Sequence, residues 1–226
     1  MKLSAFPHEF PLIGNLLANN TALLVIDMQI DFAAKGGYID QMGVDLAPLR
    51  APIEPIQSLL KTMRARGFLV VHTRETFQSD LSDVQPHRRY RGQQNDGVIP
   101  GDIGPLGRCL IEGEPCWGII PEVAPLHGEA IFNKRAYGAF SCTDIHDYLQ
   151  HHKVRNLIIT GLTTDCCIQS NLREALDRGY ECLVLEDCCG ASSSERHAQA
   201  LALIKSAYAV FGCISNSDEL KKILSN

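Results

Sequence analysis

The chain has 226 residues, of which 45% are hydrophobic, so it is long and apolar enough to fill the core of one α/β domain. A net charge of −5 with scattered basic residues argues against a nucleic-acid-binding surface. No signal-peptide pattern and no apolar run of the roughly 18 residues that span a bilayer are found, which predicts a cytoplasmic protein without membrane partners.

Short apolar runs alternate along the chain with longer stretches of helical periodicity. Strands are predicted at Thr21–Asp27, Phe68–Thr73, Ala130–Asn133, Leu157–Thr160, Cys182–Leu185 and Val210–Ile214. Helices are predicted at Pro52–Arg66, Thr143–His151, Thr164–Arg178, Glu195–Ala207 and Asp218–Leu224. This alternation predicts a three-layer α/β/α fold, Rossmann-like, around a mostly parallel six-stranded sheet.

Residues 74–128 interrupt the alternation with a segment rich in glycine, proline and charge. So long a connection is uncommon unless it is functional, so we expect a lid or an oligomer arm within a single domain spanning 1–226. The one tight basic cluster of the chain, Arg88, Arg89 and Arg91, lies in this segment. Three charges fall short of a binding patch, and the cluster is interpreted as a solvated loop face.

Nine cysteines are present, an odd number that includes the adjacent pairs Cys166–Cys167 and Cys188–Cys189. Adjacent cysteines rarely bond to each other, and the chain lacks the C-x-x-C spacing of zinc sites, so we expect neither a disulfide scaffold nor a bound zinc ion. Most of these thiols are predicted to be buried apolar fillers.

Catalytic side chains in a parallel sheet gather at the carboxyl ends of the strands. That rule selects Asp27, Thr73, Asn133–Lys134 and the loop 161–167. A cysteine in the first turn of the helix after this loop, with Thr164 as N-cap, would be favoured as a thiolate by the positive helix end. Asp27 could accept the thiol proton, and a nearby Lys134 would stabilise negative charge.

Three motifs then resemble the isochorismatase-like cysteine hydrolases. They are Asp27-Met-Gln29, Lys134-Arg-Ala-Tyr-Gly-Ala-Phe140 and Gly161-Leu-Thr-Thr-Asp-Cys-Cys167, in the order found in the family. The resemblance implies a catalytic triad of Asp27, Lys134 and Cys167, with the nucleophile three residues after Thr164. It also implies a cis peptide bond between Leu162 and Thr163, and an oxyanion hole made by the backbone N–H groups of Thr163 and Cys167.

Within the family, the metal-binding histidine cluster of the nicotinamidases has no counterpart after the second strand, so neither a metal nor a cofactor is expected. His72 is instead interpreted as a hydrogen-bonded strand-end residue. True isochorismatases lack the cysteine, so Cys167 favours amide chemistry.

Four further segments resemble the ureide amidohydrolases, which act on biuret, triuret, ureidoacrylate or N-carbamoyl amides. They are Gly36–Leu46, His72–Glu75, Gly113–Pro121 and Tyr180–Ala191. The Lys134 loop is closer to the ureidoacrylate type, and Ala207 replaces a glutamine that contacts substrate in biuret hydrolases. The predicted substrate contacts are Gln29, Phe32, Tyr38, Arg74, Phe140, Thr163 and Tyr208.

The resulting hypothesis is hydrolysis of the terminal C–N bond of a small ureide, biuret- or triuret-like, with release of ammonia through a cysteine acyl-enzyme. Ureidoacrylate and N-carbamoyl amides stay open as substrates, and the resemblance implies a dimer or tetramer. A different class, a redox-active or purely binding protein in which Cys166 resolves an oxidised Cys167, is the rival hypothesis.

Overall fold

A computed structural model describes residues 1–94, 97–206 and 210–225 of the chain. Its strands are β1 (Thr21–Ile26), β2 (Leu69–Glu75), β3 (Ile103–Gly104), β4 (Gly107–Arg108), β5 (Ala130–Lys134), β6 (Asn156–Leu162), β7 (Glu181–Gly190) and β8 (Cys213–Ser215). Six of them form one sheet in the order β5-β2-β1-β6-β7-β8, and every neighbouring pair is parallel. The short strands β3 and β4 pair separately as an antiparallel hairpin.

Helices cover both faces of the sheet. They are α1 (Ile30–Ala33), α2 (Tyr38–Gln41), α3 (Ala47–Arg50), α4 (Ile53–Ala65), α5 (Pro86–Gln94), α6 (Ile145–His151), α7 (Gln169–Leu176), α8 (Ser194–Ser206) and α9 (Ser217–Ser225). Short 3₁₀ turns lie at Pro115–Trp117 and Pro121–Val123. No helix of the described residues is both long and apolar enough to cross a bilayer.

Side chains alternate between the two faces of each strand, which creates two apolar cores. Leu23 and Val25 of β1 join the core that contains the buried stripe of α4 and the C-terminal helix α9. Leu24 and Ile26 join the other core, with α6, α7 and α8. The predicted α/β/α architecture and its parallel six-stranded sheet are confirmed.

Several predicted strands were too short, because polar residues continue β2 and a glycine and a leucine continue β6. β2 runs to Glu75 rather than Thr73, and β6 runs to Leu162 rather than Thr160. The last strand lies at Cys213–Ser215 instead of Val210–Ile214. The segment 74–128 contains the end of β2, α5, the hairpin and both 3₁₀ turns. The helix predicted through Ala207 is described as far as Ser206, and both Ala207 and Tyr208 lie outside the described residues.

Candidate active site

Asp27 immediately follows β1 and is fully buried. Its backbone has φ = 49°, in the left-handed region that few residues other than glycine adopt, and such outliers cluster at functional sites. The neighbouring strand β2 supplies Thr73, whose hydroxyl donates to Asp27 Oδ1 at 2.7 Å. The backbone N–H of Asp27 donates to the Thr73 carbonyl oxygen at 3.2 Å. The carboxylate is therefore held at the carboxyl edge of the sheet.

Lys134, the last residue of β5, lies at the centre of the cluster with no solvent exposure. Its Nζ is 2.7 Å from Asp27 Oδ2 and donates to the Ala136 carbonyl oxygen at 2.9 Å. The same ammonium is 3.6 Å from Cys167 Sγ and 3.7 Å from Glu75 Oε2. The three side chains predicted as a triad therefore meet, and one cation serves three acidic groups.

Cys167 reaches this cluster from a turn after β6. Residues Thr164–Ile168 form a π-helical turn that leads into α7, instead of the first turn of an α-helix. Thr164 was wrongly predicted as the N-cap, because it lies inside the turn and its hydroxyl pairs with His197 Nδ1 at 2.7 Å. The Leu162–Thr163 peptide bond is cis, as the family resemblance predicted. Cys167 itself is 6% exposed and borders a cavity.

Gly161 makes the approach of this turn to β1 possible. Its φ of 114° is in the region that favours glycine, and a Cβ atom there would overlap the backbone of Ile26. Since Ile26 directly precedes Asp27, this contact sets the distance between the two chain segments that carry the acid and the thiol.

The buried groups shift one another's proton affinities. Burial raises the pKa of Asp27, and the Glu75 charge adds to this effect, although Lys134 opposes it. Burial alone would lower the pKa of Lys134, but the charges of Asp27, Cys167 and Glu75 outweigh it and raise that pKa, so the ammonium stays charged. Contact with the Cys166 thiol, together with burial, raises the pKa of Cys167 well above its ordinary value. The resting nucleophile is thus a thiol that needs a base.

Glu75 is a member of the cluster that the sequence analysis missed. It is the last residue of β2, is 2% exposed, and pairs in register with Lys134. Its Oε2 lies 4.0 Å from Cys167 Sγ. The signal was present in the motif His72–Glu75, but β2 was ended at Thr73, which left Glu75 in the following loop.

Among the described residues, Asp27, Glu75 and Cys167 also form the one group of potential metal ligands, with ligand atoms within 4.8 Å of one another. The Lys134 ammonium contacts all three of these side chains. The ammonium therefore already supplies the positive charge that a metal ion would bring to these ligands.

The cavity beside Cys167 has a volume of about 330 Å³, suited to a small molecule. Its lining comprises Phe32, Tyr38, Ile39, Met42, Val44, Glu75, Arg88, Tyr137, Thr163, Asp165, Cys166, Cys167, Ser192 and Arg196. Asp27 and Lys134 lie beneath this surface. Three of the predicted substrate contacts, Phe32, Tyr38 and Thr163, are among the lining residues.

Three other predicted contacts point elsewhere. Both polar ends of the Gln29 amide bind backbone, because Oε1 accepts from the Glu75 N–H at 2.7 Å and Nε2 donates to the carbonyls of Glu75 and Trp117. Arg74 lies on the other face of β2 and stacks on the Trp117 ring at 3.7 Å. Phe140 packs against Tyr180 in the core. Tyr208 lies outside the described residues.

Two smaller predictions had different outcomes. His72 is fully buried and its Nε2 pairs with Glu129 Oε2 at 3.0 Å, which confirms it as a hydrogen-bonded strand residue. Arg88 was wrongly assigned to a solvated face. Its side chain is only 10% exposed and forms an ion pair with Glu75, whereas its neighbour Arg89 is exposed.

Comparisons with known proteins identify the family and support the fold. The isochorismatase domain model matches residues 21–216. The ureidoacrylate amidohydrolase RutB of Stutzerimonas stutzeri is 28% identical over 203 residues, 89% of this chain and 81% of that protein. A cysteine hydrolase structure from Pseudomonas syringae pv. phaseolicola superposes with a TM-score of 0.79 at 23% identity, covering 94% of this chain and 96% of that one.

The N-carbamoylsarcosine amidase structure of Thermoplasma acidophilum has a TM-score of 0.67 at 22% identity, with coverage of 88% and 97%. At these identities the two solved structures support the fold alone. The family model covers most of the chain, and the chain therefore belongs to the isochorismatase family of hydrolases.

Proposed function

We propose that the protein is a cysteine amidohydrolase that cleaves the terminal C–N bond of a small ureide and releases ammonia. The observation that carries the proposal is the meeting of Asp27, Lys134 and Cys167 beside the cavity, with Nζ 2.7 Å from the carboxylate and 3.6 Å from the thiol. An adjacent base and a fixed cation are what activate a weak nucleophile for covalent catalysis.

In the proposed reaction, Asp27 takes the proton of Cys167 and the thiolate attacks the terminal carbonyl carbon. The backbone N–H groups of Thr163 and Cys167 hold the oxyanion of the tetrahedral intermediate. The C–N bond then breaks, and the leaving nitrogen departs as ammonia with the proton from Asp27. Water, deprotonated by the same carboxylate, adds to the acyl carbon; the C–S bond breaks and the thiol is restored.

The charges around the cavity favour an uncharged substrate. Each cation at the site has an acidic partner: Lys134 with Asp27, Arg88 with Glu75, and Arg196 with Asp165 at 2.8 Å. With Cys167 as a thiol these pairs balance, so a buried carboxylate on the substrate would add an uncompensated negative charge. Biuret and triuret are neutral ureides and meet this condition.

Ureidoacrylate is the second candidate, and the 28% identity to RutB proteins favours it. It is an anion, so its carboxylate would have to remain at the cavity mouth, where Arg196 is 63% exposed. N-carbamoyl amides share the same scissile group and are the third class to test.

Ammonia release from biuret, triuret, ureidoacrylate, carbamoylsarcosine and nicotinamide tests both the activity and the ranking of substrates. Cys167→Ala should lower turnover of the best substrate by about 10⁴-fold or more while leaving the thermal midpoint of unfolding nearly unchanged. Cys142→Ala, at an exposed thiol, is the matched control and should keep full activity. Undiminished ammonia release by Cys167→Ala would overturn Cys167 as the nucleophile, whereas no ammonia release from any of these compounds by the unaltered protein would leave the redox or binding role.

A further inference from the structure

A second buried cation lies beside the cavity, and its donors are only partly used. Arg88 Nη2 donates to Glu75 Oε1. Arg88 Nη1 is buried and has no acceptor within residues 1–94, 97–206 and 210–225. Native structures rarely leave a buried donor unpaired, and because the Arg88 side chain lines the cavity, a ligand can supply the missing acceptor.

The orientation of this guanidinium is fixed before any ligand binds. The central carbon of the guanidinium, Cζ, lies 4.4 Å from the ring centroid of Tyr137 and 5.0 Å from that of Phe77. The hydrogen bond to Glu75 fixes the rotation of the guanidinium plane. Burial would lower the pKa of Arg88, but Glu75 outweighs burial and raises it, so the group is a permanent cation. The Arg88 side chain therefore loses little additional conformational freedom when it binds an acceptor.

Glu75 links this cation to the nucleophile. One of its carboxylate oxygens lies 4.0 Å from Cys167 Sγ, and the other receives Arg88. A ligand that presents its carbonyl carbon to Cys167 therefore passes first an acceptor and then a donor. An acylurea has groups in the matching order: a C=O for Cys167, an N–H for Glu75 and a second C=O for Arg88. An alkylurea lacks the second carbonyl, so it has no acceptor for Arg88.

We propose that the guanidinium of Arg88 donates to the second carbonyl oxygen of the substrate and thereby selects acylureas over simple alkylureas. This inference rests on the proposed ureide hydrolysis and names the substrate class within it. Arg88 becomes a residue that determines specificity, while the chemistry at the terminal carbonyl belongs to the cluster around Lys134.

Acetylurea and ethylurea form a matched pair of probes, because they differ only in a carbonyl against a methylene beyond the shared ureide nitrogen. The measurement is kcat/KM for ammonia release from each, together with each compound's inhibition constant against biuret hydrolysis. The variants are Arg88→Lys, which keeps the charge beside Glu75 but loses the planar second donor, and Arg88→Met, which loses both. Arg89→Lys, exposed on the same helix, is the control.

Arg88→Lys should lower kcat/KM, or weaken inhibition, about 10- to 100-fold for acetylurea and at most a few-fold for ethylurea. Equal losses on both compounds, with a lowered thermal midpoint, would mean that Arg88 only supports Glu75 and would overturn the inference. The proposed function fails separately, and the inference with it, if the unaltered protein releases no ammonia from any ureide and calorimetry detects no binding.

Discussion

Two clusters of buried charge lie on opposite faces of β2, and one carboxyl group in each, Asp27 and Glu129, has its pKa shifted in the opposite direction to the other. On one face, Thr73 and Glu75 meet Asp27 and Lys134 at the active site. On the other face, His72 meets Glu129, which precedes β5 and forms two hydrogen bonds with Arg64 of α4, at 2.7 and 2.8 Å.

The difference lies in how many donors each carboxylate receives. Burial acts on both, but hydrogen bonds from His72 and Arg64 and from the N–H of Leu126 overcome it at Glu129 and lower its pKa to about 2. At Asp27 burial prevails and the pKa is raised, because Lys134 is shared with a second carboxylate and a thiol. A carboxylate with ample donors holds structure together, whereas one with few donors is left able to accept a proton.

Removing the charge at the active site tests the first half of this comparison. Asp27→Asn keeps the size of the side chain but cannot take the thiol proton, so kcat should fall by about 10²–10⁴-fold. Steady-state ammonia release on the best ureide measures the effect, and the thermal midpoint checks the fold. If Glu75→Gln proved more harmful than Asp27→Asn, the role of base would pass to Glu75, whose Oε2 is 4.0 Å from the thiol.

Much of this site could be predicted from sequence because the triad residues are local landmarks. Asp27 directly follows one short strand, Lys134 ends another, and Cys167 follows the glycine and threonine of a recognisable loop. Strand alternation then predicts their convergence at one edge, without any knowledge of the contacts between them. The parallel sheet and its two helical layers followed from the same periodicity.

What could not be predicted depends on long-range contacts. Gln29 and Arg74 have the right chemistry for a substrate contact, but backbone carbonyls accept from the Gln29 amide and Arg74 stacks on the Trp117 ring. Arg88 has the appearance of a solvated residue until α5 packs it against Glu75, a contact that crosses 13 residues of an irregular segment. The end of β2 was also predicted too early, because the sequence does not show that polar residues such as Glu75 are buried in the strand.

A substitution in the cluster of Glu129, His72 and Arg64 should have the opposite outcome: it should lower the stability of the fold and leave kcat unchanged. Glu129→Gln removes the charge that holds Arg64 and His72, whose side chains are 23% and 0% exposed, and should lower the free energy of unfolding by about 1–3 kcal/mol. Denaturant titration measures this value. Glu122→Gln, which removes the more exposed pair with Arg50, is the control and should cost about 0–1 kcal/mol. A ten-fold fall in kcat at saturating substrate for Glu129→Gln would mean that the two faces of β2 are coupled.

The smallest expected effect is in the pH dependence of stability, where the two carboxyl groups contribute with opposite signs. The pKa of Glu129 is lower in the folded protein than in the unfolded chain, so its contribution is complete above the unfolded pKa and is lost as pH falls towards about 2. The pKa of Asp27 is raised on folding, so its contribution is complete below the unfolded pKa and is lost as pH rises through the folded value. Urea unfolding between pH 2 and about 6 should therefore show a weaker acid loss of stability in Glu129→Gln and a stronger one in Asp27→Asn than in the unaltered protein. The same sign in both variants would contradict the assignment of the two carboxylates.

The same pair of pKa shifts also separates loss of activity from loss of stability. Asp27 regains its proton at a higher pH than Glu129 does. The fall of kcat/KM on the acid side should therefore lie above the pH at which Glu129 is protonated and its ion pairs are lost, leaving a range in which the protein is folded but inactive.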